Sequence, residues 1–191
     1  MRIHPEFFQG SFNVIAGTSA SFRTGFLAHR AVVHSDAGFS VLYLSDSVSV
    51  ADQYINKYKV MLHDTTNITV ESIPTGWIYD SIGDILIDGK HDVDVCIIDS
   101  NISDTRGLRS FILDFRDYVT MYSTVQLPKR SFSEPTPHIH PRMMELADNL
   151  ILTEFGADTG ILSTTYLKSR TLPRNTTMIY RLDSTGILAE Y

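Results

Sequence analysis

The stretch GTSASFRTG, residues 17–25, lies where an apolar run (FNVIA, 12–16) gives way to a segment of helical character. A phosphate-binding loop reads G-x-x-x-x-G-K-[ST] at such a strand-to-helix turn. Its glycines let the backbone curl round an anion, and the helix start aims N–H groups at it. Here Gly17 takes the first glycine position, and Thr18, Ser19, Ala20 and Ser21 fill the variable ones. Phe22 then stands for the second glycine, Arg23 for the lysine, and Thr24 keeps the hydroxyl that would touch Mg²⁺. Arg23 preserves the positive charge on a bulkier, planar group. Phe22 is expected to hinder tight closure of the loop. Taken alone, the stretch supports two readings: a descendant of a phosphate cradle, or an ordinary Ser/Thr-rich turn.

The pattern on the C-terminal side of this loop is regular. Strands are expected at 12–16, 41–45 (VLYLS), 68–73 (ITVESI), 93–99 (VDVCIID) and 121–126 (MYSTVQ), and helices over 23–36, 50–62, 77–86 and 108–118. Ser49 is placed to cap the second helix. The run at 93–99 is apolar except for Asp94 and its terminal Asp99, as expected of a strand covered on both faces. Segment 128–142, PKRSFSEPTPHIHPR, holds four of the seven prolines and reads as a loop. Beyond it NLILTE, GILSTTYLKSR, TMIYRL and ILAEY read as strands joined by short turns. A βαβα series closing in strands implies an α/β fold, with a mostly parallel sheet, helices on both faces and an antiparallel C-terminal edge. No repeat, low-complexity tract or boundary interrupts it, so one domain over 1–191 is expected.

Composition narrows the classes of function. The 191 residues are 43% hydrophobic and 20% charged, ordinary for a globular chain. No run approaches the ~18 apolar residues of a membrane span, and the N-terminus has no apolar leader, so an intracellular, cytoplasmic protein is expected. The lone cysteine, Cys96, precludes an internal disulfide and reads as a core residue. A net charge of −6 counts against a stand-alone nucleic-acid binder.

Strand 93–99 ends in Asp99, as does a strand whose carboxylate reaches a hydrated metal; the alternative is an aspartate capping its loop. With these pieces in order, the chain resembles the RecA-like motor domain of DnaB-like bacterial and phage replicative helicases. VLYLSDSVS (41–49) is similar to the family's V-L-Y-F-S strand and the L-E-M-S that follows. VCIIDS matches its Walker B strand, and STVQLPKRS (123–131) its S-Q-L-S-R strand. ADNLIL (147–152), LKSR (167–170), a turn with Pro173 and the closing MIYRLDSTGILAEY (178–191) follow the family's order, and EFFQGSFNVIAG resembles its approach to the loop. The helicase's N-terminal domain has no counterpart in the chain.

The resemblance implies ATP and Mg²⁺ as cofactors, with Thr24 and Asp99 on the metal and Gln126 sensing the γ-phosphate. Lys168 and Arg170 keep the K-x-R pattern that reaches a neighbouring subunit's nucleotide, which implies a ring or filament of this chain or a related helicase-like subunit. Arg106 and Arg109 after Asp99, and Lys129, Arg130 and Arg142 in the proline-rich loop, fall where the family grips single-stranded DNA; as residues alone they read equally as solvated charges. The family's water-activating glutamate falls on Ser47, with Asp46 beside it as the remaining carboxylate. Phe22, Arg23 and Ser47 thus depart together at one small site. Weak or lost hydrolysis in DNA replication or recombination is the expectation. A scaffold that kept the fold without the nucleotide, an active single-strand translocase with Asp46 as base, and a single-strand-binding recombination mediator stand beside it. His138 and His140 form an H-x-H pair without a third ligand nearby, Met143 and Met144 are expected in the core of a short helix, and Trp77 in a turn is expected to cap the core.

Overall fold

A computed structural model describes residues 9–19, 21–61, 63–74, 78–88, 92–100, 105–128 and 139–190. In chain order the elements are β1 (Phe12–Gly17), α1 (Arg23–Asp36), β2 (Val41–Ser45), α2 (Val48–Val60), β3 (Ile68–Ser72), α3 (Ile78–Ile87), β4 (Val95–Asp99), α4 (Leu108–Phe115), β5 (Thr120–Gln126), α5 (Pro141–Leu146), β6 (Asn149–Gly156), β7 (Ile161–Lys168), β8 (Thr176–Leu182) and β9 (Leu188–Glu190). The strands form a sheet in the order β3-β2-β4-β5-β1-β6-β7-β8-β9. β3 to β6 in that order are mutually parallel, and β6-β7, β7-β8 and β8-β9 are antiparallel. The fold class expected from the alternating pattern is the one observed.

The alternation of side chains along each strand builds two cores. Phe12, Val14 and Ala16 of β1, Leu42 and Leu44 of β2, and Cys96 and Ile98 of β4 pack with Ile82, Leu108, Phe111, Ile112 and Met143 from α3, α4 and α5. Ile15, Val41, Tyr43, Val95 and Ile97 point the other way, against Phe26, Leu27, Ala31, Ala51 and Ile55 of α1 and α2. Both faces of the parallel half are therefore covered, which is why its strands read as continuous apolar runs. Cys96 is a core residue, and burial pushes its thiol up to about 12.

Several expectations are corrected in detail. α2 begins at Val48, with Ser47 and not Ser49 in the cap position, and no side chain caps it. Asp94 precedes β4; its Oδ2 accepts from the Ser40 backbone N–H at 2.9 Å and hydroxyl at 3.1 Å, fastening the starts of β2 and β4. α4 stops at Phe115. Met143 is buried, but its neighbour Met144 is 45% exposed, since consecutive helical positions diverge by about 100° and only one can face the sheet. Trp77 and His138 lie outside the described residues. His140 caps α5, its Nδ1 accepting from the Arg142 N–H at 3.2 Å, and among the described residues no cluster of His, Cys, Asp or Glu could hold a metal ion by itself.

Candidate phosphate site

β1 lies inside the sheet, between β5 and β6, so the turn that leaves it emerges with a strand end on each side. Gly17 is paired in register with Gln126 of β5, and the Leu127 N–H donates to its carbonyl at 2.8 Å. On the β6 side Thr153 Oγ1 lies 3.2 Å from the Ala16 carbonyl and 3.1 Å from Ser21 Oγ. A Cβ on Gly17 would come within 2.1 Å of Ser21 Oγ and 2.5 Å of Thr153 Oγ1. The first glycine is therefore required by the floor of the loop, into which the buried Ser21 folds back. The Ser21 N–H donates to the Thr18 carbonyl at 3.1 Å, closing the turn; Ser19 is exposed on its outside, and Ala20 lies outside the described residues.

Phe22 closes the loop with φ 61° and ψ 30°, the left-handed region. This is the backbone shape a glycine at this position would adopt freely, and one an aromatic residue adopts only with strain of about 1–3 kcal/mol. The ring lies against the first turn of the helix, over Gly25. It stacks on Phe155 with centroids 5.0 Å apart and meets Tyr54 edge-on at 5.3 Å. α1 begins at Arg23 with no side-chain cap. The first-turn N–H groups of an uncapped helix lack intrahelical acceptors and form an anion-attracting end.

Three side chains gather under that end. The Thr24 hydroxyl lies close enough to Asp99, at the tip of β4, to favour its charged form, and from β2 the Tyr43 hydroxyl donates to Oδ2 at 3.0 Å. Burial pushes the Asp99 carboxyl above the usual range, while these two hydroxyls and the nearby Arg23 charge pull it back. Arg23 reaches the other way, its Nη2 3.3 Å from Gln126 Oε1, a long bond, and its Nη1 is buried with no acceptor among the described residues. Burial disfavours this guanidinium charge and Asp99 favours it. Thr24 and Asp99 offer hard oxygens of the kind that suit Mg²⁺, which typically takes one or two protein oxygens and completes its shell with phosphate and water. Asp46 lies beside them: its N–H donates to the Asp99 carbonyl at 3.3 Å, and its carboxylate accepts from Ser100 Oγ at 2.6 Å. Ser47 is exposed.

The structure thus brings together Gly17, Thr18, Ser19, Ser21, Phe22, Arg23, Thr24, Asp46, Asp99 and Gln126. It does not bring Lys168 and Arg170 to them. Lys168 ends β7 opposite Leu150, at the start of β6, so these residues sit at the far end of the sheet from their own loop. Four residues of β1 separate the levels of Asn13 and Gly17, about 13 Å at a strand's rise. There Lys168 Nζ donates to the Met144 and Glu145 carbonyls at 3.1 and 3.0 Å, and Arg170 pairs with the buried Asp148. Arg106 and Arg109 are exposed at the start of α4, beyond the Asp99 end of β4. Arg142 is exposed on α5, the helix that leads into the start of β6. Lys129 and Arg130 lie outside the described residues.

Sequence reasoning missed Tyr43, Thr153, Gly25 and Asp148. Only Tyr43 carried a signal, as a polar hydroxyl in the otherwise apolar run VLYLS.

No family model and no curated protein matches the chain. Solved structures do. It is similar to the RadB recombinase, at 13% identity over 94% of this chain and 90% of that one, with a TM-score of 0.70. It is also similar to the KaiC-like protein PH0186 from the hyperthermophilic archaeon Pyrococcus horikoshii OT3, at 13% identity over 97% and 91% of the two chains, TM-score 0.68. A third structure, that of an ATPase domain, matches at 14% identity over 96% of this chain and 86% of its own, TM-score 0.69. At such identities the likeness is one of fold, and that fold is the RecA-like α/β core.

Proposed function

We propose that this chain is a nucleotide-binding RecA-like domain that works in DNA replication or recombination as one unit of an oligomer, with hydrolysis weak or lost. One observation carries the reading: an uncapped helix start follows a left-handed Phe22 at the end of β1, with Thr24 beside Asp99 and a buried Arg23 Nη1 lacking an acceptor among the described residues. A buried charged donor without a partner costs more than the roughly 1–3 kcal/mol of a neutral one, and a phosphate oxygen would relieve it. In this reading the first-turn N–H groups and Arg23 hold the phosphates, and Thr24 and Asp99 hold Mg²⁺, which would supply charge neutralisation at the phosphate oxygens.

Weak turnover follows from what surrounds that cradle. The position of the family's water-activating glutamate belongs to Ser47, and the Asp46 carboxylate already accepts from Ser100. Phosphoryl transfer depends on positioning and charge, so a site without an aimed base turns over slowly. A second reading, an assembly protein that makes no use of nucleotide, draws on Lys168 and Arg170 being engaged within their own subunit. Single-stranded DNA on Arg106, Arg109 and Arg142 and a phage setting belong to the helicase-like version of the first reading.

Calorimetric titration with ATP and Mg²⁺, repeated on Arg23→Ala, tests it. Micromolar binding that weakens tenfold or more in the variant, with little turnover, is the expected result. No heat at millimolar ATP from the folded protein would leave the assembly reading.

A further inference from the structure

The loop poses a question that its phosphate-binding reading does not answer: what holds a non-glycine residue in the left-handed turn at position 22? The answer is at position 25. A Cβ on Gly25 would lie 2.1, 2.4 and 2.6 Å from Cε1, Cζ and Cδ1 of the Phe22 ring. Gly25 is fully within α1, where glycine is a poor helix former and alanine the best. No turn or positive φ requires it there; the missing methyl is the seat of the ring. The ring cannot step aside cheaply, because Phe155 stacks on one side and Tyr54 abuts it edge-on. Phe22 so seated ties the loop to α2 through Tyr54 and to β6 through Phe155, while its carbonyl accepts the first helical bond from the Phe26 N–H at 3.0 Å.

We propose that Phe22 and Gly25 form a matched ring-and-notch pair that positions the loop, holding its cradle in shape before any ligand arrives. The pair replaces the conformational freedom of a glycine at position 22 with a packed side chain. The cradle is thereby preorganised, so an anion meets it without first ordering it. The two positions are interdependent: the notch is useful only to the ring, and the ring keeps its place only over the notch. The inference rests on the phosphate-cradle reading for its consequence in binding, and on packing alone for its consequence in stability.

That division gives the test. Wild type, Gly25→Ala, Phe22→Gly and the double variant are compared by urea denaturation and by calorimetric titration with pyrophosphate and Mg²⁺. In the wild-type background Gly25→Ala drives a methyl into the ring and lowers the urea midpoint. In the Phe22→Gly background the same substitution raises the midpoint, since only the helix preference of alanine remains. Pyrophosphate affinity falls at least tenfold in Gly25→Ala and about threefold in Phe22→Gly, where the loop loses its packed side chain, and the double variant binds like Phe22→Gly. Gly25→Ala having the same sign in both backgrounds overturns the pair. So does a double variant that binds pyrophosphate as poorly as Gly25→Ala. If wild type itself fails to bind pyrophosphate, the cradle reading falls, and the pair is judged on the sign reversal alone. Should Gly25→Ala fail to fold, a folded double variant still supports the pair, and an unfolded one overturns it.

Discussion

At the end of the sheet where β1 and β6 begin, the buried Asp148 accepts the Phe12 N–H at 2.9 Å, pairs with Arg170 and lies 3.7 Å from Arg116. Lys168 covers the last carbonyls of α5 beside it. At the other end, where β1 passes into the loop, a buried guanidinium nitrogen has no acceptor among the described residues, a carboxyl is pushed up by burial, and a phenylalanine holds a strained turn. At one end of β1 the charged groups are paired within the chain; at the other a cationic nitrogen is buried without an acceptor among the described residues. At the loop, a left-handed non-glycine residue and a buried cationic nitrogen without an acceptor among the described residues stand together where a ligand is expected.

The largest test of this contrast removes Asp148. Asp148→Ala removes the acceptor of the buried Phe12 N–H and one partner of the half-exposed Arg170, and is expected to lower stability by about 1–3 kcal/mol, the range for a buried polar group left unsatisfied. Urea denaturation measures it, and nucleotide affinity at the far end should change less than threefold. Gly17→Ala comes next. Its methyl meets Ser21 and Thr153, so about 1–3 kcal/mol of stability is lost to overpacking, and here ATP binding should fall with it. An unchanged affinity would mean that the loop floor is separable from the cradle.

The smallest expected effect concerns pH. The Asp99 carboxyl is raised in the folded protein, chiefly by burial. The folded state therefore holds this proton above the pH at which an unfolded aspartate releases it. Stability falls as pH rises from the ordinary aspartate value through the raised one. Asp99→Asn removes that slope, and at neutral pH the variant should melt slightly higher than wild type while losing Mg²⁺-dependent binding. A wild-type melting curve without such a slope, measured against Asp99→Asn from about pH 4 to pH 7, would sink the assignment.

The parallel half of the fold was readable because two-sided burial writes itself as unbroken apolar runs; VLYLS and α1 match their expected bounds at both ends. The start of α2 was misread because Ser47 and Ser49 are both plausible caps, and neither bonds the helix end. At the candidate site, Gly17 and Thr24 were legible from spacing, Asp99 from its place at the end of an apolar strand, and Gln126 only through the family resemblance. The direction of the Phe22 ring was not, since it depends on Phe155, more than a hundred residues away, and on a methyl that Gly25 lacks. Asp148 stayed hidden for the same reason: in ADNLIL it is one aspartate before a strand, and its partners come from three distant segments.

The position of β1 also bears on how the chain is made. Among the described strands this first one pairs only with β5 and β6, and Ser21 rests on Thr153. Until β5 and β6 have been synthesised, β1 has no permanent strand neighbour and the loop that follows it has no floor. The loop acquires its shape late, after synthesis has passed residue 153. Pairings this far apart in sequence fold slowly. Until then its apolar FNVIA run is exposed to aggregation or to a chaperone. The residues that open the candidate phosphate site are translated well before the strands that hold them in place.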